Sequence, residues 1–240
     1  SGTSEWGLHF GERLFWWVHI LGIFAFLNYL PYSKHFHIIL AFPNTYYANL
    51  EAKGRFENNA AVTKEVALMM DPSADPFAAP APDADAPIER FGAKDANDLS
   101  WANLLNAYTC TECGRCTSEC PANLTGKKLS PRKIMMDTRD RIEEIGQNIA
   151  TNGSFLDDGK SLLGDYITNE ELWACTSCNA CVQACPVDID PLNIIMKLRN
   201  FATMEESSAP GALNAMMTNV ENNGAPWPFN QMDRANWINE

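Results

Sequence analysis

Two short runs of cysteine constrain this chain more than anything else in it. Cys110-Thr-Glu-Cys113-Gly-Arg-Cys116-Thr-Ser-Glu-Cys120-Pro121 and Cys175-Thr-Ser-Cys178-Asn-Ala-Cys181-Val-Gln-Ala-Cys185-Pro186 are two copies of C-x-x-C-x-x-C-x-x-x-C-P, 65 residues apart, and they use all eight cysteines of the 240-residue sequence. Three thiolates two residues apart wrap the backbone around three corners of an iron-sulfur cubane, and the proline turns the chain away after a fourth whose sulfur reaches the other cluster. The spacing predicts two [4Fe-4S] clusters with crossed ligation: Cys110, Cys113, Cys116 and Cys185 at cluster one, and Cys175, Cys178, Cys181 and Cys120 at cluster two. Zinc is the rival metal, but its structural sites come as separated C-x-x-C pairs, not as a doubled four-cysteine run ending in proline. A disulfide scaffold is disfavoured, because eight cysteines in 240 residues are sparse for one and these stand too close together to make a framework.

The two runs belong to an internal repeat. After each Cys-Pro, Ser130-Pro131-Arg-Lys-Ile134-Met-Met136-Asp-Thr-Arg139 aligns with Asp190-Pro191-Leu-Asn-Ile194-Ile-Met196-Lys-Leu-Arg199, sharing Pro, Ile, Met and Arg. A Ser or Asp N-cap followed by Pro at the first helical position starts a helix in each. Thr168-Asn-Glu-Glu171 is a capping box leading into Trp173 and Cys175. Met135, Met136 and Met196 fall at helical spacing and read as core filling around the clusters. Arg115, inside the first run, reads as a solvated side chain.

The N-terminal part has a different character. Between Arg13 and Lys34 the chain carries no formal charge for twenty residues, Leu14 to Ser33. At about 1.5 Å per residue this covers roughly 30 Å, the hydrocarbon thickness of a bilayer. Trp16 and Trp17 near one end and Tyr29 and Tyr32 near the other stand where interfacial aromatic belts form. A transmembrane helix is therefore predicted within residues 1–42, and no small-residue cleavage site follows to make it a signal peptide. Lys34, Lys53, Arg55 and Lys64 follow the span whereas Arg13 precedes it, which puts the cluster domain on the cytoplasmic side of an inner (cytoplasmic) membrane.

All four histidines lie in the first 37 residues. His19 and His37 are 18 residues apart, five whole turns of one helix, so both rings would share a face about 27 Å apart along the axis, one per leaflet. His35 would point to nearly the opposite face, and Pro31 introduces a kink between the pair. Ionisable groups in a span are costly and mark function, and this spacing suits two haem ligands. The plainer alternative is an interfacial His37 beside Lys34 and a His19 bonded across a helix pair.

Residues 43–98 read as a connector. Positions 43–70 are polar and amphipathic, with a short helix along the membrane surface, and 71–90 hold five Pro, six Ala and four Asp in an extended spacer. The cluster domain is expected over 99–205 and a partner-binding tail over 206–240.

Two resemblances extend this reading. His19-Ile-Leu-Gly22 through Phe26-Leu27, with Pro31-Tyr32-Ser33-Lys34 and His37, resembles the last transmembrane helix of the cytochrome b (gamma) subunit of respiratory nitrate reductase. That resemblance implies that His19 and His37 are axial ligands of two b haems. It also implies that the opposite axial ligands come from other transmembrane helices, on other subunits or on a longer polypeptide of which this sequence is the C-terminal part. Pro121-Ala-Asn-Leu-Thr125-Gly126-Lys127, Cys185-Pro186-Val-Asp-Ile-Asp190-Pro191-Leu192 and the tail Asn223-Gly224-Ala-Pro226-Trp227 with Arg234 and Trp237 are similar to heterodisulfide reductase-like iron-sulfur proteins. The long helical insertion between the runs looks like that of the all-helical two-cluster ferredoxin. The resemblance implies a partner module that is cysteine-rich, of CCG type, or flavin-bearing.

The fold class expected is mainly α: one transmembrane helix, an extended linker and an α-helical ferredoxin domain with two [4Fe-4S] clusters. A formal charge of -12 excludes a phosphate-binding surface of clustered Lys and Arg, and hence nucleic acid as a partner. No nucleophile-base pair, phosphate loop or convergent acid pair is evident, which suits a conductor of electrons whose catalysis sits in a partner. The function expected is a membrane-bound electron-transfer subunit of a respiratory oxidoreductase, relaying electrons between quinone or quinol with b haems and a catalytic partner. The alternative is a membrane-anchored, ferredoxin-like assembly subunit without haem.

Overall fold

A helix that is apolar on every face needs surroundings as apolar as itself. Helix α1 (Glu5–Tyr29) is of this kind: Leu14, Phe15, Trp16, Trp17, Val18, Leu21 and Phe24 are exposed, and none of its residues is buried. In the computed structural model, which describes residues 4–71 and 90–238, Glu5–Tyr32 is long and apolar enough to cross a membrane. The helix starts well before the charge-free run, because Ser4 caps it by accepting from the Gly7 N–H at 3.2 Å.

Pro31 ends α1. A tight turn over Leu30–Tyr32 leads to Ser33 in extended conformation, a second turn over Lys34–Phe36, and then α2 (His37–Tyr46). The sequence reading puts His19 and His37 on one face of a single helix; the structure breaks the helix between them, so the five-turn register does not apply. The physical cause is local. Proline withholds one backbone donor, and Ser33 caps the next segment instead, its Oγ accepting from the His35 N–H at 3.2 Å. Helix α2 also runs past the expected boundary at residue 42, through Pro43, whose fixed φ suits a helix. Helix α3 (Ala60–Met70) follows. Of the Pro/Ala/Asp-rich spacer, residues 72–89 lie outside the described residues.

Past the spacer the chain enters a helical domain, and among the described residues there is no β-strand. Packing begins earlier than the expected residue 99. Ala93 and Ala96 are buried, and the Ala93 N–H donates to the Lys197 carbonyl at 3.1 Å. Then come α4 (Trp101–Thr109), the short α5 (Arg115–Ser118) and α6 (Pro121–Leu124), the long α7 (Pro131–Asn152), α8 (Asn169–Ala174), the short α9 (Ala180–Gln183) and α10 (Pro191–Met204). The caps read from sequence are in place. Ser130 Oγ accepts from the Lys133 N–H at 3.3 Å, Asp190 from the Asn193 N–H at 2.9 Å, and Thr168 and Glu171 form a reciprocal capping box. Ile134 and Met135 of α7, Leu172 of α8, and Ile194, Ile195 and Leu198 of α10 make the centre of the core. Beyond it, α11 (Gly211–Asn223) and the turns of Gln231–Ile238 hold no buried residue.

One ion network ties the inter-motif insertion down. The Arg141 side chain, on α7, is fully buried; it donates to both oxygens of Asp95 at 2.7–3.1 Å, to both of Asp158 at 2.6 and 2.9 Å, and to the Lys160 carbonyl at 2.9 Å. Asp95 also accepts from the Leu162 N–H at 3.0 Å. Those bonds fix the buried Leu162 and Leu163 against α7 and the Ala93–Ala96 segment, with the Leu163 N–H donating to the Lys94 carbonyl.

Gly92 is the tightest backbone approach. A Cβ there would press on the Phe201 backbone nitrogen and stand 2.5 Å from the Lys197 carbonyl oxygen of α10. Gly92→Ala is therefore expected to destabilise the domain by roughly 1–3 kcal/mol or more through overpacking. Gly146→Ala, on an exposed face of α7 with open space around it, is expected to stabilise by about 0.5–1 kcal/mol. The thermal midpoint of visible bleaching in the purified protein checks both.

Candidate metal centre

Each cysteine run is built the same way. A helix, α4 or α8, ends at the first cysteine, Cys110 or Cys175, which serves as its C-cap in extended conformation. The chain then makes two left-handed steps at matching positions, Glu112 and Gly114 in the first run, Ser177 and Asn179 in the second. Those steps coil the loop so that the short helices α5 and α9 present the third cysteines, Cys116 and Cys181. Glycine and asparagine adopt such a conformation readily; Glu112 and Ser177 bear its strain. Burial repeats as well, with Cys113 and Cys178 exposed and the first cysteine of each run half-buried.

The sulfurs assemble across the runs. Cys110, Cys113, Cys116 and Cys185 lie within electrostatic reach of one another and line a cavity of about 70 Å³ with Met135, Pro186 and Ile189. That is several times the space one buried water needs. Cys175 is likewise coupled to Cys120 and Cys178, and Cys181 to Cys175. Cys181 reaches Cys116 and also lines the first cavity, so the two sets adjoin. Among the described residues, no three His, Cys, Asp or Glu side chains converge as a single metal ion requires; the thiols border a cavity instead.

The electrostatics favour neutral thiols. Burial pushes the Cys116 thiol up to about 11 and the Cys181 thiol up to about 12, and raises Cys110 and Cys175 too. Backbone N–H groups oppose this for the first cysteine of each run, from Glu112 to Cys110 and from Ser177 to Cys175, the latter at 3.4 Å. Holding Cys110, Cys116, Cys175 and Cys181 as thiolates at neutral pH needs cationic charge beside them, which bound iron would supply with release of protons.

The repeated arginines clamp these loops. Arg139 of α7 donates to Glu112 at 2.8 Å. Arg199 of α10 donates to the Leu172 carbonyl at 2.8 Å, the Cys175 carbonyl at 2.6 Å and Ser177 Oγ at 3.2 Å, and stacks 4.9 Å from the centroid of Trp173. The repeat alignment contains both residues; their role emerges only when α7 and α10 fold back over the loops. Arg115 lines the first cavity and is exposed, as read from sequence.

His37 is half-buried, and its Nδ1 lies 2.6 Å from the Lys34 carbonyl oxygen. A carbonyl only accepts, so Nδ1 carries a proton in this bond; in a neutral imidazole that leaves Nε2 as the acceptor nitrogen, the arrangement seen in metal-ligating histidines. His19 stands exposed on α1, and His35 lies against the Phe26 ring at 6.0 Å.

Comparison with known proteins places the two runs in a domain type that binds iron-sulfur clusters. The family described as 4Fe-4S dicluster domain matches residues 109–189. The whole chain is 31% identical to 35% of the probable iron-sulfur-binding oxidoreductase FadF of Bacillus subtilis. It is 29% identical, over 95% of its length, to 31% of the EtfAB:quinone oxidoreductase of Syntrophomonas wolfei. Over 42% of its length it is 29% identical to 42% of an iron-sulfur subunit of the CoB–CoM heterodisulfide reductase of Methanocaldococcus jannaschii. The chain spans about a third of the first two relatives. Its homologues are thus iron-sulfur oxidoreductase subunits, and residues 109–189 match a 4Fe-4S dicluster domain.

Arg199→Gln removes the clamp on the second loop alone. The variant is expected to lose one of two iron-sulfur EPR signals faster in air than the wild type, with unchanged far-UV circular dichroism.

Proposed function

We propose, from a 4Fe-4S dicluster domain joined to a helix able to cross a membrane, that this chain is an electron-transfer subunit of a membrane-bound oxidoreductase. The observation that supports the reading is the nearness of Cys185 to Cys110 and of Cys120 to Cys175, across the two runs, beside the segment that leaves the span. In this reading Cys110, Cys113, Cys116 and Cys185 hold one [4Fe-4S] cluster, and Cys175, Cys178, Cys181 and Cys120 the other. His19 and His37 are axial ligands of b haems shared with other transmembrane helices, as in the nitrate reductase gamma subunit. The bond from His37 Nδ1 to the Lys34 carbonyl, which in a neutral imidazole leaves Nε2 for a metal, supports this, although the broken helix now makes the two ligands independent of a common register. Quinone exchange at the membrane draws support from the quinone oxidoreductase relative.

Bound clusters and haems supply one-electron transfer at tuned potentials. The chain's own groups do the rest. The cysteines fix position, the N–H groups of Glu112 and Ser177 stabilise sulfur charge, and Arg139 and Arg199 hold the loops. The apolar core keeps water from the buried Cys120 and Cys181. We assign residues 1–42 to the span, the domain near 99–205 to the clusters, and 206–240 to contact with a cysteine-rich or flavin-bearing catalytic partner. Exposed Met216, Met217, Val220 and Trp227 suit that contact. The basic residues after the span support a cytoplasmic position for the cluster domain.

Two measurements test the reading. Iron and acid-labile sulfide are expected at roughly eight each per chain; Cys120→Ala and Cys178→Ala should abolish one EPR signal, and Cys113→Ala and Cys185→Ala the other. Zinc in place of iron, or signals lost run by run, would overturn the assignment. The reduced complex should show a b-type α-band that weakens in His19→Ala and His37→Ala, and an absent or unaffected band removes haem from the reading.

A further inference from the structure

The two thiol sets are not equivalent with respect to the span. Helix α2, the first element after it, packs on α4, the helix that ends at Cys110. Asn44 of α2 is 3% exposed, and its Nδ2 donates to the Val187 carbonyl at 2.8 Å, two residues beyond Cys185. The Lys34 ammonium lies 3.7 Å from Glu112, inside the first loop and already paired with Arg139. Tyr47 meets Trp101, at the start of α4, edge to face with centroids 5.0 Å apart. Every one of these contacts bears on the set of Cys110, Cys113, Cys116 and Cys185. The second loop is met later along the chain, where Gly54 approaches the side chain of Asn179.

We infer that the first thiol set is the membrane-facing one, that the second lies beyond it, and that Asn44 and Glu112 are the positioning residues that seat the first set against the end of the span. This rests on the two-cluster reading above and adds an order to it: span, first set, second set. Asn44 supplies the stronger hold, since a buried amide satisfied by one carbonyl has no other register to adopt without losing that bond. Glu112 supplies charge. Its carboxylate joins the first loop to Lys34 at the membrane end and to Arg139 on α7, so it ties three elements at one point.

The test uses the intact complex reconstituted in phosphatidylcholine vesicles containing a gadolinium-chelating lipid, with the clusters reduced by dithionite. Glu112→Gln removes a negative charge beside the first loop, and Asn179→Asp adds one at the second. They are expected to move the midpoint potentials of two different EPR signals, upward for the first and downward for the second, and so to identify each. The Glu112-sensitive signal should relax faster than the other in gadolinium vesicles, and Asn44→Ala should diminish that difference at unchanged iron content. Faster relaxation of the Asn179-sensitive signal, or equal relaxation of both, overturns the order. A difference that persists in Asn44→Ala overturns the role of Asn44, and one signal responding to both charge changes overturns that of Glu112. Iron analysis and the optical α-band report separately on the clusters and the haem, so failure of the reading itself is distinguishable.

Discussion

A guanidinium with no exposure to water holds this domain in the shape its chemistry needs. Arg141 sits midway along α7 and is met by two carboxylates and a carbonyl, so its charge and its donor directions are satisfied inside the protein. The desolvation cost of such a group is large and is offset only when the partners are all present. Here the network joins three separate stretches: Asp95 before α4, Arg141 on α7, and Asp158 with Lys160 in the loop after α7. The network therefore sets how the insertion between the cysteine runs folds back, the fold-back that brings Cys185 near Cys110 and Cys120 near Cys175. Arg141 in turn holds the Asp158 carboxyl down at about 2.

The repeat is faithful where metal chemistry dictates and divergent where it does not. The left-handed steps, the short helix carrying the third cysteine and the exposure of the second cysteine recur in both copies. The clamps differ in chemistry while keeping their place. Arg139 answers a carboxylate, whereas Arg199 answers two carbonyls, a hydroxyl and the face of an indole. Burial lowers the Arg199 pKa, as expected of a guanidinium facing carbonyl dipoles rather than a formal counter-charge.

Much of this was legible in the amino-acid order because its signals are local. Cysteine spacing, a Ser or Asp before Pro, and the Thr168 to Glu171 box each act within a few residues, and the structure has them. What stayed hidden depends on distant partners. Nothing near Asn44 in the sequence announces Val187, and nothing near Gly92 announces the backbone of α10. The helix break at Pro31 is an intermediate case: proline signals it, but a kinked helix and a broken one look alike until Ser33 is seen to cap a new segment. The start of the domain at Ala93 is hidden in the sequence for the same reason, since its burial is made by α10.

Crossed ligation as proposed would also constrain the chain as a polymer. A centre that joins Cys116 to Cys185 closes a loop of about 70 residues, and one that joins Cys120 to Cys175 closes a loop of about 55 nested within it. The loops share the same helix and return segment, so neither centre can be completed until the second run has been synthesised and folded back. With that crossed ligation, iron loading would be a late event in the life of the chain, and the metal would act as a pair of cross-links that restrict the unfolded ensemble.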